Sequence, residues 1–226
     1  MAFVFGLVAL GVALWFLVRL KRKDTADCAA VLGLPPAPAA TTRGTTPEGF
    51  EFSETSVLSG TLLGRPAVLL ERFVRHPAIS ARRRKGSHFT VLELTLERPV
   101  RVPIRLQPTG VLGALEALVK ADTADSVSTD PEFDAAYTVY AADASAVAVL
   151  LDPDLRQHIL AFRSEAAGEL PDSVPGRLSS GLVLGTFHVE GATARYVLFG
   201  SPTKATAQQL KAAAPLLLAI ATRAGA

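Results

Sequence analysis

Residues 1–18 hold no charged and no strongly polar side chain, and Arg19, Lys21, Arg22 and Lys23 follow at once. A run of this kind restricts everything downstream, because it must find an apolar medium. An α-helix rises about 1.5 Å per residue and the hydrocarbon core of a bilayer is roughly 30 Å thick, so a span needs about 17–20 apolar residues. Ala2 to Val18 supplies seventeen, and Arg19 can extend its guanidinium to the headgroups. Trp15 and Phe16 fall near the basic end, where amphipathic rings favour the interface. A cleaved signal peptide would carry its charge before the apolar run and small residues after it. Here the order is reversed, and Asp27 ahead of Cys28 spoils a lipoprotein cleavage site. Residues 1–23 therefore read as an uncleaved anchor with a basic stop, contacting lipid through residues 1–20. The positive-inside tendency puts the N-terminus outside and the remainder in the cytoplasm.

Charge changes meaning once this segment is set apart. The chain carries 23 Lys+Arg against 21 Asp+Glu. Without the four cations of the anchor the balance becomes 19 to 21, or −2. A nucleic-acid-binding domain would be basic, so that class is disfavoured. The basic stop instead suits anionic headgroups. The single cysteine, Cys28, excludes a disulfide framework and a cysteine-rich zinc site. Arginine outnumbers lysine seventeen to six and asparagine is absent, a bias typical of GC-rich bacterial genomes. The location expected is the bacterial inner membrane, with a single pass.

Residues 24–49 read as a linker. Pro35 to Gly49 is rich in Pro, Thr and Gly, with nothing to build a core. At ~3.1 Å per residue such a stretch extends about 40 Å, enough to hold a domain clear of the membrane. From residue 50 to 226 the pattern is α+β: an antiparallel meander and a C-terminal hairpin packed with three to four helices. Strands are expected at Val57–Leu63, Ala67–Val74, His88–Glu97, Val100–Leu106 and Ala136–Ala142, from period-two alternation between turn signals. Helical spacing marks Val111–Val119. Ala121–Thr129 is a polar loop. Asp143 stands as an N-cap before Ser145–Leu151, and Asp152-Pro153 starts a helix running through Phe162. Gly181–Val189 and Ala194–Gly200 form a hairpin turning at Glu190-Gly191. Thr203–Arg223 is a terminal helix that Pro215 should kink or split.

Two features invite a chemical reading. The first is Asp130-Pro131-Glu132-Phe133-Asp134. As structure, Asp130 and Pro131 make a turn, Phe133 anchors it in the core and the acids stay solvated. As chemistry, the carboxylates would bind a metal or move protons. No further ligands lie near, so the structural reading is preferred. The second is the basic set Arg72, Arg75, Arg82, Arg83, Arg84 and Lys85, able to grip phosphate, acidic lipid or an acidic partner, or simply to solvate a loop. His76, His88, His158 and His188 show no metal-ligand spacing. Serine-nucleophile, P-loop and dinucleotide motifs are missing, and no cofactor or small-molecule substrate is implied.

The stretches Asp130–Asp134, Tyr137–Tyr140 and Leu150–Leu155, with Gly64-Arg65-Pro66, resemble bacterial membrane-anchored families of unknown function that carry a DPEFD-like motif. The resemblance implies a cytoplasmic domain on an N-terminal anchor and no catalytic residues. The leading expectation is a membrane-tethered, non-catalytic domain that binds a protein partner as an accessory or assembly subunit. The alternatives are a hydrolase-like enzyme with a dispersed site, or a peripheral reader of anionic lipid through Arg72–Lys85.

Overall fold

In the computed structural model, the described residues are 19, 21–38, 40–46, 50–75, 86–109, 126–168 and 185–226. They form an α+β fold around one antiparallel sheet of nine strands. In chain order the elements are α1 (residues 21–32), β1 (Thr41–Thr45), β2 (Glu51–Leu62), β3 (Arg65–Arg75), β4 (Gly86–Thr95), β5 (Ile104–Pro108), β6 (Ser126–Val127), α2 (Pro131–Ala136), β7 (Tyr137–Ala141), α3 (Ala144–Leu150), α4 (Pro153–Gly168), β8 (Thr186–Glu190), β9 (Thr193–Phe199) and α5 (Lys204–Gly225). The strand order is β1-β2-β3-β4-β9-β8-β5-β7-β6. Strands β1 to β4 are the expected meander. The C-terminal hairpin β8–β9 then inserts between β4 and β5, so the expected pairing of consecutive strands fails at that point.

Register explains the core. Leu69, Leu92, Tyr196, Phe187, Leu106 and Val139 oppose one another strand by strand, forming one apolar row across the sheet. All six are buried, and the helices cover this face. α5 supplies Leu210, Leu217 and Ile220, and α4 supplies Leu155, Ile159 and Phe162. The opposite face has its own smaller apolar cluster of Val74, Phe89, Val91 and Val197, with Phe50, Phe52 and Leu70 against it.

Several expectations change. Residues 24–49 are not a free tether. Cys28, Leu32 and Leu34 are buried in the main core, and Ala29 and Val31 pack beside them. Cys28 and Leu32, one helical turn apart on α1, make an apolar face that is hard to see in so alanine-rich a stretch, and Leu34 follows just past the helix end. Pro35 and Pro36 lack N–H donors but still serve an edge: Ser59 N–H donates to the Pro35 carbonyl at 3.0 Å, and Pro36 bridges to Leu58. The threonines of β1 then pair with β2 from Thr41↔Thr55 to Thr45↔Glu51. β2 begins at Glu51, well before the expected Val57, and a bulge between Ser56 and Leu58 resets its register. The 100–106 strand starts only at Ile104 and reaches Pro108. The motif before β7 is a short helix, α2, that ends at Ala136. The polar loop of 121–129 contains β6.

Pro215 does not divide the terminal helix, which runs unbroken from Lys204 to Gly225. Pro215 lies on its exposed side, away from the buried Ala213, Ala214 and Leu217. The expected caps hold. Asp143 accepts from Ser145 N–H and Ala146 N–H, and Asp152 from Leu155 N–H at 2.8 Å. The helix expected at Val111–Val119 and the strand residues Gly181–Leu184 lie outside the described residues.

Because Leu34 is 1 % exposed in this core, Leu34→Ala should lower stability by about 2–5 kcal/mol in denaturant unfolding. A solvated tether would show no change.

Candidate functional site

Several of the charges that sequence reading singled out lie on β3 and at the start of α1. Lys21, in the first turn of α1, donates from Nζ to Glu71 Oε2 at 2.9 Å. Glu71 lies on β3 and also accepts from Ser201 Oγ at 3.2 Å. Its second neighbour is His88 on β4, with Nδ1 3.4 Å from Oε1. Burial raises the Glu71 pKa, but the Lys21 ammonium and the Ser201 hydroxyl outweigh it, and the carboxyl stays below its ordinary range. Glu71 is thus a fixed carboxylate that ties the first turn of α1 to the sheet. Arg22 and Lys23 beside it are exposed.

Arg72 and Arg75 are cross-strand partners and not a free grip. Arg72 Nε donates to Glu54 Oε1 at 2.5 Å, and its guanidinium lies 5.2 Å from the Phe52 ring centre. Arg75 pairs with Glu51. Arg72 neutralises the acid directly opposite it on β2, and Arg75 neutralises one just beyond the last paired rung. Arg82, Arg83, Arg84 and Lys85 lie outside the described residues.

Next to these pairs a groove of about 630 Å³ opens on the outer strands, lined by Arg43, Glu51, Phe52, Ser53, Phe73 and Arg75 among others. Two guanidinium groups face one carboxylate there. The aromatic floor depends on glycine. A Cβ at Gly86 would come within 2.1 Å of the Phe73 ring, and one at Gly44 within 2.7 Å of the Phe52 ring.

The acidic motif is spent on local structure. Asp130 caps α2 by accepting from Phe133 N–H at 2.9 Å, and pairs with Arg156 Nη1 at 2.8 Å. Phe133 is fully buried and stacks on Tyr137, centroids 5.5 Å apart. Asp134 is more engaged than a solvated acid. Its oxygens accept from Ser128 Oγ at 2.6 Å, Thr129 N–H at 3.0 Å and Thr129 Oγ1 at 2.9 Å. Partial burial opposes its charge, but these donors prevail and hold the carboxyl below its usual range. Among the described residues, no three His, Cys, Asp or Glu side chains are placed to hold a metal.

A polar row on the sheet face opposite the helices was not anticipated. Glu93, Arg195, His188, Arg105, Tyr140 and Ser126 oppose one another across six strands. Arg195 Nε donates to Glu93 Oε2 at 2.6 Å, and Arg105 stacks 4.0 Å over the Tyr140 ring. Burial drives the His188 pKa down to about 4, so it is neutral at physiological pH despite Glu190 at 3.3 Å. The only sequence signal was the polar phase of alternating strands, scattered from residue 93 to 195.

No family model and no curated protein matches this chain. Among solved structures, the crystal structure of the mycobacterial trehalose monomycolate transport factor A, TtfA, is similar. The TM-score is 0.50 and the identity 11%, over 89% of this chain and 94% of that one. A likeness at that identity concerns the fold.

Asp134 yields a test. Its lowered pKa means the folded state binds fewer protons there, so its contribution is present above the ordinary carboxylate range and fades as pH falls through it. Asp134→Asn should destabilise at pH 7 and flatten the loss of melting temperature on acidification. Equal acid sensitivity in both proteins would refute this. Phe133→Ala should cost about 3–5 kcal/mol at any pH.

Proposed function

We propose that this chain is a membrane-tethered, non-catalytic domain serving as an accessory subunit to a membrane protein partner. One observation carries the reading. The helix that follows the apolar segment is built into the domain, with Lys21 pinned to Glu71 and Cys28 and Leu32 in the core. An anchor at residues 1–18 would then hold the domain directly at the bilayer and present it at a set height and attitude. That suits engagement of a neighbouring membrane protein better than the long reach of a flexible linker.

The chemistry of the described residues supports a binding role. The carboxylates with shifted pKa values are all explained by caps, turns and ion pairs: Glu71, Asp134, Asp143 and Asp152. Perturbed groups at a catalytic centre would converge on a cavity, and these do not. Among the described residues no helix is long and apolar enough to cross a membrane, and residues 1–18 lie outside them. The anchor therefore rests on the apolar run and its basic stop. TtfA is a trehalose monomycolate transport factor. That likeness supports placing this chain with transport-associated factors of bacteria, while the membrane tether and the cytoplasmic side of the domain rest on residues 1–18 and the basic stop Arg19 to Lys23 alone.

Two measurements test this. Tagged full-length chain, extracted from its native membrane in gentle detergent after crosslinking, should bring down an integral membrane protein in fixed ratio. Recovery in the soluble fraction, with no membrane partner, would overturn the proposal. A reporter active only outside the cytoplasm, fused after Ala226, should stay silent.

A further inference from the structure

Among the described residues, the sheet ends in two unlike edges. β6, at one end, is two residues long, while β1, at the other, has five. Shortness protects an edge from pairing, and β1 lacks that protection. The hydrogen bonds around β1 show which of its backbone groups are unused. Ser56 N–H donates to the Ala40 carbonyl at 3.0 Å, and Thr46 N–H donates to the Phe50 carbonyl at 2.8 Å. In an antiparallel ladder every second residue bonds a given neighbour. With the register Thr41↔Thr55 to Thr45↔Glu51, the residues that bond β2 are Ala40, Thr42, Gly44 and Thr46. Thr41, Arg43 and Thr45 therefore turn their N–H and C=O groups away from β2, off the edge of the sheet. All three are exposed.

The side chains of this edge carry their own pattern. Thr41 Oγ1 lies 3.1 Å from Thr55 Oγ1, so Thr41, Arg43 and Thr45 share a face with Thr55, Ser53 and Glu51. Arg43, Glu51, Ser53 and Arg75 line the groove of about 630 Å³. Glu51 is paired with Arg75, and among the described residues Arg43 has no carboxylate partner. One cation of the groove is thus uncompensated. On the other face, Gly44 stands opposite Phe52. A Cβ at Gly44 would meet the Phe52 ring at 2.7 Å, so the missing side chain lets the ring lie across the edge strand.

We propose that β1 receives an extended, acidic segment of the protein partner, which pairs with Thr41, Arg43 and Thr45 and lengthens the sheet by one strand. The idea rests on the partner reading above and specifies the chemistry of the contact. Main-chain bonds supply the attachment and side chains supply the choice. A residue opposite Arg43 sets its side chain beside the guanidinium, so a carboxylate is preferred there. Its neighbours in the segment point to the other face. The one opposite Gly44 rests on the Phe52 ring, so an apolar side chain is preferred at that place. A second copy of this chain fits worse. β1 paired antiparallel with itself brings Arg43 opposite or diagonal to its own copy, and a cation on an edge discourages such self-pairing.

The probe is the peptide acetyl-Ser-Thr-Val-Glu-Val-Thr-Ser-amide, whose central acid is flanked by apolar β-formers. It is titrated into the full chain, isotope-labelled for NMR and held in detergent micelles. Amide hydrogen exchange at Arg43 and Thr45 should slow about tenfold when the peptide is bound. Arg43→Glu should weaken binding about tenfold, and a peptide with Lys in place of its Glu should then prefer the variant to the native chain. Thr45→Pro removes an outward N–H that β2 does not use, so it should abolish binding while the melting temperature holds. A peptide that does not bind, that binds without slowing these amides, or that ignores the charge exchange overturns the proposal. So does protection of the same amides that grows with chain concentration in the absence of peptide, which marks a second copy as the occupant. The crosslinking experiment keeps the two readings apart. A membrane partner recovered equally by the native chain and by Thr45→Pro upholds the partner reading and overturns this edge. Peptide binding by a chain that recovers no membrane partner overturns the partner reading and upholds the edge.

Discussion

The apolar row that crosses the sheet from Leu69 to Val139 is the constraint on which the other elements depend. Antiparallel register sets one side chain of each strand opposite its neighbour, so a slip of one residue anywhere would turn that strand's core face outward. Burying the row requires a continuous helical cover. α5 provides most of it, with Ala207, Ala213, Ala214 and Ala221 allowing its backbone to lie close to the strands. α1 and the residues just after it complete the cover at the outer strands through Cys28, Leu32 and Leu34. The Lys21–Glu71 pair then follows, because Lys21 can reach Glu71 only if α1 lies where the core puts it.

How legible this was in the sequence depended on the range of each interaction. Helix caps at Asp143 and Asp152 act within three residues and could be read from order alone, whereas Asp130, read as the start of a turn, caps a short helix. Strands with clear alternation, such as Phe89 to Thr95 in β4, were equally plain. What escaped depended on distant partners. β1 is a threonine-rich edge whose only local signal resembles a linker, and it becomes a strand because β2 extends back to Glu51 to meet it. The insertion of β8–β9 between β4 and β5 carries no local mark. Pro215 looked like a breaker because the rule concerns the backbone alone, whereas the exposed side of a long, well-buried helix accommodates the ring.

The charged residues illustrate the same division. The cations were visible as two runs of sequence, and the DPEFD motif stood out more sharply than either. The motif proved to be local masonry: a cap, a buried ring and a carboxylate closing the preceding loop. Arg72 and Arg75 are engaged by glutamates of β2, which period-two spacing could not reveal because the partners lie 18 and 24 residues away. The polar row from Glu93 to Ser126 needed six strands in register before it existed as a feature.

The central place of the β8–β9 hairpin has a consequence for how the chain is made. Until residues 186–199 emerge from the ribosome, β4 and β5 each present an open edge with no partner. Unpaired edges of nascent sheets are templates for wrong association, and distant pairing slows folding. If an apolar segment at the N-terminus engages the membrane early in synthesis, the growing chain waits there as a half-built sheet. Such an anchor would hold the half-built sheet at the bilayer while the last fifth of the chain is translated, so the sheet could close only when that hairpin arrives.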